Sequence, residues 1–435
     1  MTAPPSGKNG PAAPRAERQG LASSRATVWG VIGSDFARSV AATSITRGVQ
    51  MAAGLVTTVI VARVLGAEGR GLFSVATVVS ALGLQATNLG LHASNTYAAA
   101  RAPALVPALL GNSIVAAVVL GGAAAAGAAA LFLVWPSLAP VHGTLLFLAL
   151  AAIPLGLLYL LLQGLLLGVA AIGSYNRIEI ATRLLGLILV VGVILLGRVN
   201  VVALFAPAVA ATAGGGVLAY RRLMSRTSGS LTISRDVFRE NLRYGLKAYL
   251  SAFFSFLVLR GDLFIVKHLT GAVSAGYYSI TVTLAEIIMA VPVVIGALLF
   301  PRLARAEAGG RWPLARRALR VVALAMTVVT VVAFAAAAPV VQLLFGPEFL
   351  PAVPALRWLL PGVFLLSLNT ILMNFFAAEG MPRFTVLSPG IAAAANIALN
   401  LWAIPAFGIV GAAAASSLTY AGMLGASLIY VRRTV

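Results

Sequence analysis

The sequence predicts an all-α, polytopic membrane protein with about twelve transmembrane helices, and three observations support that prediction. Hydrophobic residues make up 60% of the 435 residues, charged residues make up 10%, and the mean hydropathy is +0.99. Apolar runs of about 18 residues or more recur along the chain, and each is long enough to cross a bilayer. The basic residues fall mainly in the short segments between these runs. A soluble domain of this composition would expose an apolar surface, so we exclude that class.

The helices are predicted to form two six-helix lobes that are parallel repeats. Residues 1–38 lack the apolar core of a signal peptide, so we expect a disordered cytoplasmic tail. The N-terminal lobe is expected over 39–221 and the C-terminal lobe over 244–435, with a basic cytoplasmic linker over 222–243. The predicted helices of the N-terminal lobe are 41–62, 71–95, 108–134, 143–167, 178–197 and 201–220. Those of the C-terminal lobe are 244–265, 275–300, 321–345, 353–376, 384–404 and 409–431.

The basic residues favour one orientation in the membrane. With the N-terminus in the cytoplasm, the basic clusters at 221–247 and 302–320 fall inside, as the positive-inside rule requires. The segments on the outer side then contain only five basic residues: Arg63, Arg70, Arg198, Lys267 and Arg357. An even number of helices also places the C-terminus in the cytoplasm. The net charge of +20 therefore indicates contact with anionic membrane lipids and no nucleic-acid partner.

Two pairs of segments indicate that the halves repeat. The sequence VLGAEGRGLFSVA at 64–76 resembles LTGAVSAGYYSIT at 269–281, and each segment joins the first helix of its half to the second. The residues after 201 also resemble those after 409, although chance similarity between Ala-rich, Val-rich and Gly-rich helices is the alternative for both pairs. Parallel repeats meet about an axis along the membrane normal, with a substrate cavity between them.

Polar side chains recur at helical spacing on the first two predicted helices. Such residues are costly in a bilayer and face either a wet cavity or a packed helix interface. The candidates for the cavity are Arg47, Gln50, Gln85, Asn88 and Asn95. In the C-terminal lobe, four amides could bond sugar hydroxyls, with packing again the alternative: Asn369, Asn374, Asn396 and Asn400.

The intramembrane charges suggest an anionic substrate. Arg183, Arg260, Asp262 and Glu286 lie inside predicted helices, and Glu286 is a candidate partner for Arg260. Arg260 and Asp262 are two residues apart and therefore point to different sides of the helix. A structural ion pair competes with a cationic site in which Asp262 or Glu286 carries a coupling ion. The N-terminal lobe offers arginine without a deeply placed carboxylate, which favours phosphate or diphosphate.

Catalytic patterns are missing from the sequence, so we expect a protein that is not an enzyme. The chain has no cysteine, no P-loop for ATP, and three histidines without metal-ligand spacing. The predicted outer loops are also too short to hold an acceptor substrate. We therefore expect no catalytic residue, no metal site and no cofactor.

Several short motifs bear a family resemblance from about Ser34 onward. They are Leu65-Gly66 with GRGLF at 69–73, LRYGL at 242–246, RGD at 260–262, GYYS at 276–279, FPRL at 300–303, LFGPEF at 344–349 and GMPR at 380–383. In order and spacing they resemble the Wzx-like polysaccharide-export branch of the multidrug/oligosaccharidyl-lipid/polysaccharide (MOP) exporter superfamily.

The resemblance implies an alternating-access flippase in the bacterial cytoplasmic membrane. It would move a lipid-diphosphate-linked oligosaccharide from the cytoplasmic to the outer leaflet for cell-surface polysaccharide assembly. Arg47, Arg183 and Arg260 would line the cationic cavity, while the lipid tail stays among the membrane lipids. A polysaccharide polymerase or glycosyltransferases are possible partners, and a cation gradient or the membrane potential is a possible energy source. The alternatives are a MATE-like ion-coupled drug or metabolite exporter and an accessory subunit of a polysaccharide synthesis complex.

Overall fold

A computed structural model describes the backbone of residues 15–227 and 230–434 and the side chains of 46–227, 230–246, 249–307 and 309–433. All regular elements in these ranges are helical. The α-helices are α1 (Arg15–Asn88), α2 (Leu91–Arg101), α3 (Val106–Ala116), α4 (Gly122–Val134), α5 (Gly143–Gly168), α6 (Ile172–Leu195), α7 (Val201–Met224), α8 (Arg235–Arg305), α9 (Ala308–Phe345), α10 (Ala352–Ala378) and α11 (Phe384–Thr434). A π-turn, Ala117–Gly121, joins α3 to α4, and 3-10 turns lie at Pro103–Leu105, Pro136–Leu138 and Pro347–Phe349. The chain divides into two compact units at residues 49 and 50, and every contact described below lies within 50–435.

Three of these helices are interrupted at one glycine. Gly66 in α1, Gly271 in α8 and Gly408 in α11 have φ values of 66°, 88° and 59°, which glycine adopts without the steric cost of a Cβ. The described residues contain 9 apolar helices long enough to cross a membrane, and these three are among them. Counting both sides of each break gives the predicted twelve spans. Single-residue breaks replace the loops that the sequence predicted at these places.

The breaks in α8 and α11 reverse the direction of the chain. Asp262 and Tyr278 are hydrogen-bonded to each other across Gly271, and Asn396 bonds Thr419 across Gly408. In a straight helix, residues so far apart would be separated by roughly 24 Å or more, at about 1.5 Å per residue. The apolar part of α1 has 43 residues, so as a straight helix it would also far exceed the roughly 30 Å of a bilayer core.

Two segments are more helical than the sequence predicts. The predicted disordered tail ends at residue 38, but α1 begins at Arg15, and residues 1–14 lie outside the described part. The last proline of the tail is Pro14, and the Ala, Arg, Glu and Leu that follow favour helix. Within the predicted linker, α8 begins at Arg235, where the Ser234 hydroxyl accepts a hydrogen bond from the Val237 amide.

The helices pack in two groups. In the first, α5 contacts α2, α3, α4 and α7, and α6 packs on α7. In the second, α8, α10 and α11 contact one another, and α9 packs on α10. Leu161 and Leu165 lie in apolar cores of the first group. The core around Tyr278 and Phe376 of the second group also includes Leu145 and Ile153 of α5, so it extends into the first group. This grouping agrees with the two predicted lobes, whose exact bounds remain a prediction.

The two groups meet at a close crossing of main chains. A Cβ on Gly71 would lie 1.9 Å from the carbonyl oxygen of Ala272, and a Cβ on Gly276 would lie 1.9 Å from that of Ala67. Gly71 aligns with Gly276, and Ala67 with Ala272, in the repeat at 64–76 and 269–281. The contact is therefore reciprocal. The repeated segments are related by an approximate two-fold axis, as parallel repeats require.

Candidate functional site

The central charged pair lies between the two arms of α8. The Arg260 guanidinium Nη2 is 2.5 Å from Glu286 Oε1, so the structure joins Arg260 to the partner suggested by the sequence. The side chains are 35% and 46% exposed, respectively, so the pair is not sealed in the core. Because the chain reverses at Gly271, two charges far apart in sequence face each other in the middle of their helices.

Arg70 adds a second guanidinium to this region. It lies one turn beyond the break in α1, is 7% exposed, and its Nε donates to Ser279 Oγ at 3.1 Å. Its charge interacts electrostatically with those of Arg260 and Glu286. Two arginines and one glutamate therefore leave a net charge of +1. The sequence predicts an outer loop around Arg70, where the structure has only the break at Gly66.

The repeat itself contains a signal that could have located Arg70. In the alignment at 64–76 and 269–281, Arg70 corresponds to Ala275, which is fully buried beside Gly276. Because the counterpart of Arg70 in the other half is a buried alanine, Arg70 itself is expected to be buried and not to lie in a loop. An arginine in that place needs either a partner or a ligand.

Asp262 belongs to a separate, buried polar network. It is 2% exposed and accepts hydrogen bonds from the Tyr278 hydroxyl at 2.5 Å, the Ser416 hydroxyl at 3.2 Å and the Leu263 amide at 2.8 Å. It faces away from the partner of Arg260, as the spacing of two residues predicts. A buried carboxylate held by hydroxyl and amide donors is a suitable place for a proton or a small cation.

Two of the predicted cavity amides extend this network. Asn396 donates to Thr419 Oγ1 at 3.2 Å, and Asn400 donates to Asn396 Oδ1 at 2.9 Å. Asn396 also lies 3.5 Å from Ser416 Oγ, which connects it to Asp262. The side-chain oxygen of Asn400, Oδ1, is buried and has no hydrogen-bond partner among the described residues. Asn396 and Asn400 thus lie in the core of the second group, and their part in a substrate cavity remains a prediction.

A cavity of about 400 Å³ lies between α8, α10 and α11. Asn369 and Asn374, which the sequence predicted to be cavity residues, both line it. Asn369 Oδ1 accepts from Ser427 Oγ at 2.7 Å, and Asn374 Nδ2 donates to the Thr370 carbonyl at 2.8 Å. The other polar lining residues are Ser251, Ser255, Thr370 and Thr385, and the flexible apolar ones are Met289, Met373, Met381 and Met423.

Arg183 has a partner within the first group. Its Nε is 3.7 Å from Glu179 Oε1, and its side chain is 58% exposed. Glu179 also accepts hydrogen bonds from Tyr159, at 2.9 Å, and from Gln163, both on α5. The ion pair of Arg183 therefore lies within α6, and Glu179 joins α6 to α5. The part of Arg183 in a substrate cavity remains a prediction.

The remaining predicted residues occupy varied places. Asn88 is buried at the end of α1, where its Oδ1 accepts a hydrogen bond from the His92 amide in the first turn of α2. Asn95 is buried between Ser113 and Asn241, and the latter amide joins α2 to the start of α8. Gln50 and Gln85 are half-buried. Arg47 is exposed within the first compact unit, 1–49.

Two residues that the sequence did not single out hold the break in α1. Glu348 Oε1 accepts a hydrogen bond from the Ala67 amide at 2.8 Å. Arg63 donates to the carbonyls of Leu343 and Leu344, the last turn of α9, at 2.5 and 2.7 Å. These bonds join the first helix of one half to α9 of the other and to the 3-10 turn that follows α9. Within the described ranges, no group of three His, Cys, Asp or Glu side chains could hold a metal ion.

Comparisons with solved structures show a transporter fold. The chain superposes on a multidrug resistance MATE family transporter of the MOP superfamily in an inward-facing conformation, with a TM-score of 0.70, 16% identity, and 87% and 92% of the two chains covered. The lipid II flippase MurJ in an inward closed conformation gives a TM-score of 0.72 at 13% identity, with 89% and 87% covered. A MOP superfamily transporter from Pyrococcus furiosus gives a TM-score of 0.60 at 14% identity, with 90% and 93% covered.

Sequence comparisons identify the family. An uncharacterised membrane protein of Methanocaldococcus jannaschii is 28% identical over 192 residues, which are 43% of this chain and 38% of that relative. The alignment thus spans well under half the length of that curated relative. The profile of the family described as "Polysaccharide biosynthesis protein" matches residues 36–307, more than half of the chain. The chain is therefore a multi-pass membrane protein that belongs to the polysaccharide biosynthesis protein family.

Proposed function

We propose that this protein is an alternating-access flippase that moves a lipid-diphosphate-linked oligosaccharide from the cytoplasmic to the outer leaflet for cell-surface polysaccharide assembly. The observation that carries the proposal is the partly exposed Arg260–Glu286 pair, with the buried Arg70 hydrogen-bonded to Ser279, two helical turns before Glu286. Membership of the polysaccharide biosynthesis family supports a role in making a surface glycan.

The chemistry of the pair suits a diphosphate. Arginine at the centre of a bilayer costs about 2.5–3.5 kcal/mol on insertion scales, so its presence there needs a use. The planar guanidinium binds phosphate oxygens through two parallel hydrogen bonds. Glu286 neutralises Arg260 when no substrate is bound, and a diphosphate, which carries more negative charge, displaces it.

The orientation and the route follow from the charge distribution. With the basic segments in the cytoplasm of a bacterial cell, both termini lie inside, and the Gly71–Gly276 crossing lies near the outer surface. The head group then enters from the cytoplasmic side, and the crossing separates when the carrier opens outward. The lipid tail remains in the surrounding membrane throughout, and a polymerase or glycosyltransferases act on either side of this step.

The network around Asp262 supports coupling to a cation. A small cation or a proton on Asp262 would satisfy a carboxylate that is buried away from the paired guanidinium. The membrane potential supplies about 2.3 kcal/mol per elementary charge at 100 mV, which is enough to bias one step of the cycle. The same network also favours the second candidate function, a MATE-like ion-coupled exporter of drugs or metabolites.

The proposal is tested by the leaflet distribution of lipid-linked oligosaccharide, measured with a probe that does not cross the inner membrane. Cells that lack this protein are complemented with the intact gene, Arg260→Ala or Arg198→Ala. Arg198 is exposed in the turn between α6 and α7 and serves as the matched control. We expect deletion to hide the intermediate from the probe, and the intact gene and the control to restore its exposure.

The same cells separate the alternatives. Unchanged exposure on deletion, in a strain without a second carrier, would contradict the flippase. Greater drug sensitivity together with normal exposure would indicate the exporter. Loss of glycan with no hidden intermediate would indicate an accessory subunit of the synthesis complex.

A further inference from the structure

The cavity between α8, α10 and α11 is neutral throughout its lining. None of the described residues that form its walls carries a charge, although Arg260 follows directly after the lining residue Leu259. Four methionines provide flexible, polarisable surface that adapts to irregular shapes. A volume of about 400 Å³ lies within the range of roughly 300–1,000 Å³ found for small-molecule sites.

The cavity and the charged pair lie along the same face of α8. Glu286, Met289 and Val293 are spaced by three and four residues, so they share a helix face, and the last two line the cavity. At about 1.5 Å per residue, Met289 lies roughly 4.5 Å and Val293 roughly 10 Å along the axis from Glu286. A group attached directly to a diphosphate at Arg260 would therefore enter this cavity.

The polar groups of the lining suit sugar hydroxyls. Ser251 donates to the Thr385 carbonyl at 2.6 Å, which leaves its oxygen as an acceptor. The bond from Asn374 to Thr370 uses one of its two N–H groups, and its carbonyl oxygen is a further acceptor. These groups lie among apolar walls that would cover the less polar face of a sugar ring.

We propose that this cavity is the subsite for the sugar joined to the lipid diphosphate and that it selects a neutral sugar, such as an acetamido hexose, over a uronic acid. The proposal rests on the flippase function proposed above. A uronic acid would bring a carboxylate into a space with no cation on its walls, and burying an unpaired charge is strongly unfavourable. A neutral sugar exchanges water for the hydroxyl and amide groups of the lining.

The experiment measures binding of defined probes to the full chain in detergent micelles by calorimetry. The probes are a short-chain isoprenyl diphosphate without sugar, the same diphosphate with a neutral acetamido hexose, and the same with a uronic acid. For the intact protein we expect the neutral sugar to increase the affinity about tenfold over the bare diphosphate, and the uronic acid to give no gain.

A pair of variants locates the effect. Ser255→Phe fills the cavity and should remove the gain while leaving affinity for the bare diphosphate unchanged. Ala252→Phe is the matched control, because Ala252 is exposed one turn away and does not line the cavity. Asn374→Leu removes hydrogen-bonding groups with little change of volume and should reduce the gain several-fold, which keeps the test valid if Ser255→Phe does not fold.

Each contrary result has a distinct meaning. Equal affinity for the bare and neutral-sugar probes would overturn the subsite, even where the leaflet assay supports the flippase. Loss of bare-diphosphate binding in a folded Ser255→Phe would also overturn it and assign the cavity to the isoprenyl chain. If no probe binds the intact protein, the cationic site of the proposed function fails and the subsite fails with it. A sugar-dependent gain with normal leaflet exposure in deletion cells supports the subsite and contradicts only the flippase.

Discussion

Gly71 and Gly276 occupy equivalent positions in the two halves, and each lies against a main-chain carbonyl of the opposite half. Neither position has room for a Cβ, because the carbonyl oxygens of Ala272 and Ala67 would each be 1.9 Å away. The crossing holds α1 against α8 beside Arg70 and Ser279, whose hydrogen bond joins the same two helices. Closure between the halves and the geometry of the charged site therefore depend on the same few residues.

We expect Gly71→Ala and Gly276→Ala to destabilise the protein to a similar extent, by about 2 kcal/mol or more, because each forces the helices apart. Gly127→Ala is the control, since a Cβ there meets nothing within 4 Å. On helix propensity alone, the control should be neutral or more stable by up to about 1 kcal/mol. Thermal unfolding in detergent measures all three. If the two crossing variants unfold at the same temperature as the control, the crossing has room for a Cβ and the prediction is wrong.

Removal of Glu286 should strengthen the binding of diphosphate. Glu286→Gln frees Arg260 from its partner, and an exchange of this kind at a partly exposed pair is worth up to about 1 kcal/mol, or roughly five-fold in affinity. Arg260→Ala should instead abolish most of the binding. Titration with a short-chain isoprenyl diphosphate measures both. Weaker binding by Glu286→Gln would mean that the carboxylate helps to hold the ligand.

The bond from the Ala67 amide to Glu348 should stabilise the break in α1. Glu348→Ala leaves that amide without its acceptor, so we expect a loss of about 1.5–3 kcal/mol in the free energy of unfolding. Glu348→Gln retains an oxygen in the same place and should lose clearly less. Chemical or thermal unfolding in detergent distinguishes the two. A loss as large for glutamine as for alanine would indicate that the charge, and not the acceptor, is what matters.

Asp262→Asn should separate stability from coupling. Asparagine keeps one oxygen that accepts from Tyr278 and Ser416 but loses the acceptor for the Leu263 amide, so the free energy of unfolding should fall by about 1–3 kcal/mol. The variant should still fold, whereas a site that binds a cation or proton would be lost. We expect flipping in vesicles to become slow and insensitive to an imposed cation or proton gradient. Ser427→Ala removes a buried hydroxyl on the same helix as Ser416. It controls for the general effect of removing a polar group from the core. Normal gradient dependence in Asp262→Asn would exclude this residue as the coupling site.

The membrane spans and the ion pair could be predicted because apolar length and intramembrane charge are visible in sequence. The helix breaks were harder to predict, because each lies at a single glycine, Gly66, Gly271 or Gly408, and leaves no polar loop. For that reason Arg70 was assigned to a loop, although it is buried.

The polar residues of the first two spans show a different limit. Asn88 and Asn95 are cavity candidates by their helical spacing, yet the first bonds an amide in the first turn of α2 and the second joins α2 to α3 and α8. A period identifies a helix face, but it does not show whether that face meets water or another helix. Asn369 and Asn374 line a cavity because of how α8, α10 and α11 pack together. No local sequence pattern predicts that packing.

The reciprocity of the glycine crossing bears on the origin of the fold. In a symmetric dimer, one residue on each subunit makes the same contact twice, so a single glycine codon secures both sides of the interface. The crossing of α1 and α8 has this form within one chain, which points to a duplicated six-helix ancestor that once paired with its own copy. After fusion, the two copies were free to diverge: Arg70 arose or persisted in one half while Ala275 occupies its place in the other, and the charged site became asymmetric on a symmetric frame.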